Sequence, residues 1–200
     1  MNLFISGWAG FKEALGDTQE DCLFIIPFVD YDERGIIDFL KDRKGSNLIA
    51  WSTGGHIVLK NISFFTQRFE SIIIVAGFIR FTDYVKEKVI RRMINKMSLS
   101  PHNVVKDFLI SAGCTPTFPD FDHDKLIKGL EYLCSSKIEV SQKLNIRNLK
   151  LIHGTQDKIL PVKAIFDLKE IFPQAEVYLL DNAPHWVSFE KIRKFLSREK

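Results

Sequence analysis

Six short apolar runs recur along the chain, and segments with the 3.6-residue period of a helix follow most of them. Each run is rich in Ile, Val, Leu or Phe and is bounded by Gly, Asp, Pro or Ser, which is typical of strands buried on both faces of a parallel sheet. The six predicted strands are residues 3–6, 22–28, 47–51, 72–76, 149–153 and 176–180. Because parallel strands are joined by right-handed crossovers, the alternation predicts a doubly wound α/β sheet that is mostly parallel.

The predicted helices of this repeating pattern are residues 33–43, 54–67, 161–172 and 187–197. Residues 81–144 interrupt the pattern, since they contain no convincing strand and three helical segments, at 84–97, 101–112 and 122–134. We therefore expect a single domain spanning residues 1–200, with a helical insertion at 81–144 that packs on the edge of the sheet.

Composition excludes several broad classes of protein. A chain of 200 residues with 46% hydrophobic residues can bury a sizeable core, which argues against disorder. Its longest apolar runs are about eight residues, well short of the roughly 20 that a membrane-spanning helix needs. Neither a basic leader nor a cysteine pair of metal-binding spacing is present, so we expect a cytoplasmic protein. The net charge of +3 is too small for a general nucleic-acid binder.

Ser52 follows a predicted strand directly and precedes a predicted helix. The sequence Ala50-x-Ser52-x-Gly54 has the spacing of the G-x-S-x-G nucleophile elbow, with Ala in place of the first Gly. Small residues are needed at both positions because the tight turn brings them against neighbouring chain. Ser52 is therefore a candidate nucleophile, although an ordinary glycine-terminated turn with an exposed serine would look the same.

A serine nucleophile needs a base, and the base needs a carboxylate that fixes its tautomer. Asp157 lies in the loop after strand 149–153, and His185 lies in the loop after strand 176–180. Taken singly, the aspartate could be a turn residue or helix cap and the histidine a surface residue. Their joint placement after the expected strands, in the order Ser, Asp, His, predicts a catalytic triad.

Two backbone amides are candidates for an oxyanion hole. Thr53 follows the nucleophile directly, and Trp8 lies in the glycine-containing loop after the first strand. The alternative for the second loop is a simple glycine-rich turn.

The segments SGWAG, AWSTGG, HGTQDKILPV and NAPHWVSFEKIRKFL together span nearly the whole chain and resemble the α/β-hydrolase superfamily. Trp8, the segment RRMINKMSLSPHNVVKDFL and the phrase GLEYL are similar to the carboxylesterases that cleave the methyl ester of pimeloyl-acyl carrier protein in biotin synthesis. This resemblance implies a cytoplasmic serine esterase without a cofactor, in which a helical cap holds the acyl chain. Ser6 and Ala50 depart from the usual pattern, and we expect the first hairpin of the family to be absent, which leaves about six strands.

The insertion carries a local surplus of four positive charges between residues 84 and 96. The resemblance implies that this basic surface, with Lys88, Arg91 and Arg92, meets an acidic carrier protein. A solvated helix face is the plainer alternative, and nucleic acid is not expected because no stacking aromatics interleave with the charges. Phe81 is a candidate for the acyl pocket, and it could equally belong to the core of the cap.

The stretch from Asp120 to Asp124 spaces its oxygens like a calcium loop, yet Lys125 stands where the turn glycine belongs, so we expect no metal. The sequence thus predicts a serine carboxylesterase that cleaves an acyl methyl ester. Two alternatives remain: a small-molecule esterase or thioesterase, and a non-catalytic binding protein on a hydrolase fold.

Overall fold

A computed structural model of the chain describes residues 1–16, 22–139 and 143–196. Its sheet is built from β1 (Asn2–Ile5), β2 (Cys22–Ile25), β3 (Gly45–Trp51), β4 (Phe69–Val75), β5 (Leu149–Gly154) and β6 (Glu176–Leu180). The spatial order is β2-β1-β3-β4-β5-β6, and every pair of neighbours is parallel. The predicted fold class, a parallel sheet of about six strands within an α/β fold, is confirmed.

The helices of the described residues are α1 (Lys12–Leu15), α2 (Glu33–Leu40), α3 (Thr53–Lys60), α4 (Ile62–Thr66), α5 (Glu87–Met97), α6 (Pro101–Ala112), α7 (His123–Ser135), α8 (Lys163–Ile171) and α9 (Phe189–Ile192). Single 3₁₀ turns lie at Phe81–Asp83 and Arg193–Phe195. The short helix α1 was not predicted. In the described parts of the chain, no helix is both long enough and apolar enough to cross a membrane.

The segment predicted as one helix at 54–67 is two helices that meet at Asn61. Asn61 leaves the helical conformation, with φ −112° and ψ 31°, and its side-chain amide donates to the Ile57 carbonyl at 3.0 Å. The same carbonyl accepts from the Asn61 backbone amide at 3.2 Å, so Asn61 caps the end of α3 with both its backbone and its side chain. The last helix is also shorter than predicted: it gives way to a 3₁₀ turn after Ile192, and residue 197 lies outside the described residues.

Alternate residues of each strand face two separate cores, as expected for a sheet covered on both sides. Leu3, Ile5 and Leu48 pack with helices α2, α3 and α8 on one face. Phe4 and Ile49 point to the other face, where α1, α9 and the cap helices pack. The two layers of helices hold the sheet between them and leave its carboxyl edge to carry loops.

The cap consists of α5, α6 and α7, which follow β4 and precede β5 in the chain. Leu109 and Leu130, from α6 and α7, belong to the same buried cluster as the sheet residues Phe4 and Ile49. The cap therefore packs into the same hydrophobic core as the face of the sheet that carries Phe4 and Ile49. Its first helix begins at Glu87 rather than at residue 84, because Lys86 is extended, with ψ 128°.

Candidate active site

Ser52 occupies a strained turn between β3 and α3. Its backbone has φ 50° and ψ −112°, a positive φ that a residue with a side chain rarely adopts. The Ser52 amide donates to the Val75 carbonyl at 2.8 Å, which anchors the turn to β4. A Cβ at Gly54 would lie 2.4 Å from the Ile5 carbonyl oxygen, so only glycine fits there. Ala50, the departure from the elbow pattern, is a fully buried residue of β3.

The structure brings Ser52, His185 and Asp157 into one chain of hydrogen bonds. Ser52 Oγ lies 3.0 Å from His185 Nε2, and His185 Nδ1 lies 2.7 Å from Asp157 Oδ2. The side chains of His185 and Asp157 are fully buried, and Ser52 is 4% exposed. Three residues that span 133 positions of the sequence are thus placed in the geometry that nucleophile, base and orienting carboxylate require.

The other oxygen of Asp157 is fixed by the backbone. Oδ1 accepts hydrogen bonds from the amides of Ile159, at 2.7 Å, and Leu160, at 2.9 Å. Burial alone would raise the pKa of Asp157, but the adjacent His185 and these two amides favour the charged form more strongly, and its pKa is lowered. The carboxylate therefore stays ionised where it faces the imidazole.

A second histidine, His153, lies beside the same carboxylate. Its Nε2 is 3.1 Å from the Leu160 carbonyl oxygen and 3.4 Å from Asp157 Oδ2. Burial lowers the pKa of His153, so the ring is neutral and donates to the carbonyl. His153 thus helps to shape the Asp157 loop without reaching Ser52.

The loop that carries His185 is held by Trp51 and by the close approach of Gly154. Trp51 Nε1 donates to the His185 carbonyl at 3.0 Å, and the two rings lie 5.5 Å apart. A Cβ at Gly154 would lie 2.2 Å from the Ala183 carbonyl oxygen and 2.3 Å from that of Pro184. Sequence reasoning missed both residues. In the sequence, the one feature that could have indicated Trp51 is its position directly before the candidate nucleophile.

The first loop lies against the elbow. The Gly54 amide donates to the Ser6 carbonyl at 3.0 Å, and a Cβ at Gly7 would lie 2.9 Å from the Trp51 ring. Among the described residues, the backbone amides of Trp8 and Thr53 find no hydrogen-bond acceptor. The two predicted oxyanion donors therefore lie on adjoining loops with their amides available.

No protein-family model matches the chain, and no curated protein matches it significantly in sequence. Solved structures do match. MGS-M2, an alpha/beta hydrolase enzyme from a Medee basin deep-sea metagenome library, superposes with a TM-score of 0.66 at 14% identity over 98% of this chain and 86% of that one. This chain has the α/β-hydrolase fold.

Two further matches show the range of enzymes that share this α/β-hydrolase fold. An esterase from Exiguobacterium antarcticum has a TM-score of 0.66 at 14% identity, covering 98% of this chain and 89% of its own. An epoxide hydrolase from Bacillus megaterium has a TM-score of 0.67 at 12% identity, covering 96% of this chain and 89% of its own. At these identities the likeness establishes the fold, and the chemistry has to be argued from the site.

A cavity of about 320 Å³ lies between the cap and the loops of the α/β-hydrolase core. Its wall is mostly apolar and includes Trp8, Phe81, Val85, Ile90, Phe108 and Leu130. Trp8 is fixed there because its Nε1 donates to the Leu126 carbonyl of α7 at 2.8 Å. Ser52 and His185 do not line the cavity; Trp8 and Ile159, from loops that adjoin the triad, do.

The four cap residues singled out from the sequence separate into two pairs. Phe81 and Arg92 line the cavity. Lys88 and Arg91 do not, and Arg91 Nε donates to Glu87 at 2.8 Å on the exposed side of α5. Asp122, in the stretch that resembles a calcium loop, accepts from the amide of Asp124 at the start of α7. None of the described residues form a cluster of three or more His, Cys, Asp or Glu placed to hold a metal ion.

His56, one turn after the serine on α3, is buried in a polar network behind the elbow. Its Nδ1 lies 3.1 Å from the Phe78 carbonyl oxygen and its Nε2 lies 2.8 Å from Ser136 Oγ. Burial lowers the pKa of His56 to about 4, so the ring is neutral at pH 7. The network ties the elbow helix to the end of the cap.

Proposed function

We propose that this chain is a serine hydrolase of carboxylic esters. The observation that carries the proposal is the continuous hydrogen-bonded chain from Ser52 through His185 to Asp157, built on the strained elbow. The solved structures with this fold include esterases, which supports the same chemistry.

In the first half of the reaction, Ser52 Oγ attacks the ester carbonyl while its proton passes to His185 Nε2. Asp157 accepts from Nδ1, which keeps Nε2 free to take the proton and stabilises the imidazolium that forms. The carbonyl oxygen gains the electron pair and becomes an oxyanion. We assign the Trp8 and Thr53 amides as its hydrogen-bond donors.

In the second half, the tetrahedral intermediate collapses and the alcohol leaves with the proton from His185. Water then attacks the acyl-enzyme while its proton passes to His185, and the second intermediate collapses as Ser52 Oγ leaves and takes that proton back, which releases the carboxylic acid. The triad and the two proposed oxyanion donors perform each step, so the proposed reaction requires neither a metal nor an organic cofactor.

For the substrate, we propose the methyl ester of pimeloyl-acyl carrier protein, with the reaction placed in biotin synthesis in the cytoplasm. The support is the resemblance of the cap sequence to that family, together with an apolar cavity at the lower end of the usual size for ligand pockets. The basic residues Lys88, Arg91 and Arg92 on α5 would attract an acidic carrier protein through long-range charge.

A small-molecule esterase or thioesterase is the second candidate. It is favoured by the pairing of Arg91 with Glu87, which reduces the positive charge available to a carrier.

Two measurements test the catalytic proposal. A fluorophosphonate probe should label the wild type and should not label Ser52→Ala. Ser63→Ala, which changes an exposed serine on α4, is the matched control and should label normally. Hydrolysis of p-nitrophenyl esters from C2 to C8 should be lost in Ser52→Ala and retained in Ser63→Ala. Absence of labelling in the wild type would instead support a non-catalytic binding protein.

The carrier proposal is tested with the double variant Lys88→Gln, Arg91→Gln. Its KM should rise more for a carrier-linked methyl ester than for an aryl ester, because only the carrier spans the outer face of α5. Lys106→Gln, on α6, removes a charge elsewhere on the cap and serves as the control. Equal effects on both substrates would favour the small-molecule esterase.

A further inference from the structure

Three cationic side chains line the same cavity from two different elements. Arg92 and Lys96 are four residues apart on α5 and so share one face of that helix. Lys158 reaches the cavity from the loop after β5, next to Asp157. The only acidic side chain in the cavity wall, within the described residues, is Asp107 of α6, so the wall carries a surplus of two positive charges.

None of these three cations forms an ion pair with an acidic side chain of the described residues. Arg91, which lies outside the cavity on the same helix, does have such a partner in Glu87. The three cations that face the cavity are thus available to an anionic ligand.

Most of the remaining wall is apolar. A surface helix that is merely solvated has its charges on the side away from apolar residues. Here the face of α5 that turns to the cavity mixes Val89, Ile90 and Met93 with Arg92 and Lys96. Such a wall suits a ligand with an aliphatic chain and an anionic group.

We propose that the cavity contains an anion subsite, formed by Arg92, Lys96 and Lys158, for esters that carry a carboxylate in addition to the ester group. The expected substrate class is the monoester of an aliphatic dicarboxylic acid. This inference rests on the proposed esterase function and names a substrate with a free carboxylate, which the carrier-linked methyl ester lacks because its second carboxyl group is joined to the carrier. Arg92 is shared with the carrier proposal, whose other basic residues, Lys88 and Arg91, lie outside the subsite.

The test compares monomethyl adipate with methyl hexanoate, two esters with the same number of acyl carbons of which only the first carries a carboxylate. The wild type should hydrolyse monomethyl adipate with a kcat/KM about fivefold higher, which is the upper end of the effect of an ion pair with an exposed cation. Arg92→Met, Lys96→Met and Lys158→Met should each reduce that preference. Lys106→Met, which removes an exposed charge from α6 outside the cavity, should preserve it.

Ionic strength provides a readout that a purely structural role would not move. Since the cations are exposed, the preference for monomethyl adipate should shrink as salt is raised, while the rate with methyl hexanoate stays constant. A wild type that hydrolyses both esters equally, at low and high salt, overturns the subsite and leaves the esterase proposal standing.

Binding to Ser52→Ala separates the two proposals if no ester is hydrolysed at all. Calorimetry should detect tighter binding of monomethyl adipate than of methyl hexanoate, and Lys158→Met in the same background should weaken only the former. Equal binding of the two esters overturns the subsite. If Ser52→Ala binds monomethyl adipate more tightly, but the wild type neither hydrolyses any ester nor is labelled by the fluorophosphonate, the subsite is supported and the esterase function is overturned.

Discussion

The substitution Asp157→Asn tests how the triad is oriented, because the surroundings of the side chain decide which way the new amide must point. Oδ1 accepts from two backbone amides, at 2.7 and 2.9 Å, whereas Oδ2 faces His185 Nδ1 at 2.7 Å. An asparagine with its NH₂ group toward the backbone amides would set donor against donor at both positions. The NH₂ group must therefore face His185.

In that orientation the amide donates to Nδ1, which has to give up its proton. The proton then resides on Nε2, which lies 3.0 Å from Ser52 Oγ and can no longer accept from it. The base is present but in the wrong tautomer. Removal of the carboxylate in this way from a Ser-His-Asp triad lowers kcat about 10⁴-fold, which corresponds to about 5 kcal/mol of transition-state stabilisation.

The assay is kcat/KM for p-nitrophenyl butyrate at pH 7, alongside thermal unfolding of the same preparation. Asp38→Asn, which changes an exposed aspartate on α2, is the matched control and should retain wild-type activity. A folded Asp157→Asn protein with more than about a tenth of the wild-type rate would refute the reasoning, since a correctly oriented base would then not depend on this carboxylate.

Three further outcomes are expected. Gly154→Ala places a methyl group 2.2 Å from the Ala183 carbonyl oxygen, so the loop that carries His185 must shift. In this variant kcat should fall about 100-fold, as kinetics would measure, and the free energy of unfolding should fall by about 2 kcal/mol, as urea titration would measure. Trp51→Phe removes the hydrogen-bond donor to the His185 carbonyl, so the free energy of unfolding should drop by roughly 1–3 kcal/mol. The fall in kcat should exceed any change in KM. An unaltered kcat would show that this bond does not position the base. The pKa of His56 is about 4 when folded and 6.5 ordinarily, so below pH 6.5 the unfolded chain takes up a proton that the folded one does not, and stability is lost as pH falls toward 4. Between pH 7 and pH 5 the wild type should lose about 2 kcal/mol more than His56→Gln, and parallel pH profiles of unfolding would contradict this account.

The strands could be predicted from the sequence because burial on both faces of a parallel sheet requires continuous apolar runs. All six runs are strands in the structure, and α6 has the predicted bounds of 101–112. Helix ends were less predictable. The break at Asn61 depends on a side chain that bonds to the backbone of its own helix, and residues of similar type occur within helices elsewhere.

The chemical groups of the candidate site could also be named from the sequence, because the order of Ser52, Asp157 and His185 along the chain relates each residue to the end of a strand. The supporting residues could not. Gly154 is required only because the Ala183 carbonyl happens to approach it, and Trp51 matters only because its ring reaches the loop that carries His185. Contacts of this kind join residues far apart in sequence and leave no local pattern.

The sequence by itself determined the fold class and singled out Ser52, His185 and Asp157 as the candidate nucleophile, base and acid, since periodicity and motif spacing are properties of neighbouring residues. The tertiary structure alone decided which cations face the cavity. Arg91 and Arg92 are adjacent and chemically identical, yet the packing of α5 against α6 and α7 leaves Arg91 on the exposed side, beside Glu87 of the same helix, and turns Arg92 toward the cavity. Successive residues on a helix point about 100° apart, so their roles are fixed by what the helix packs against.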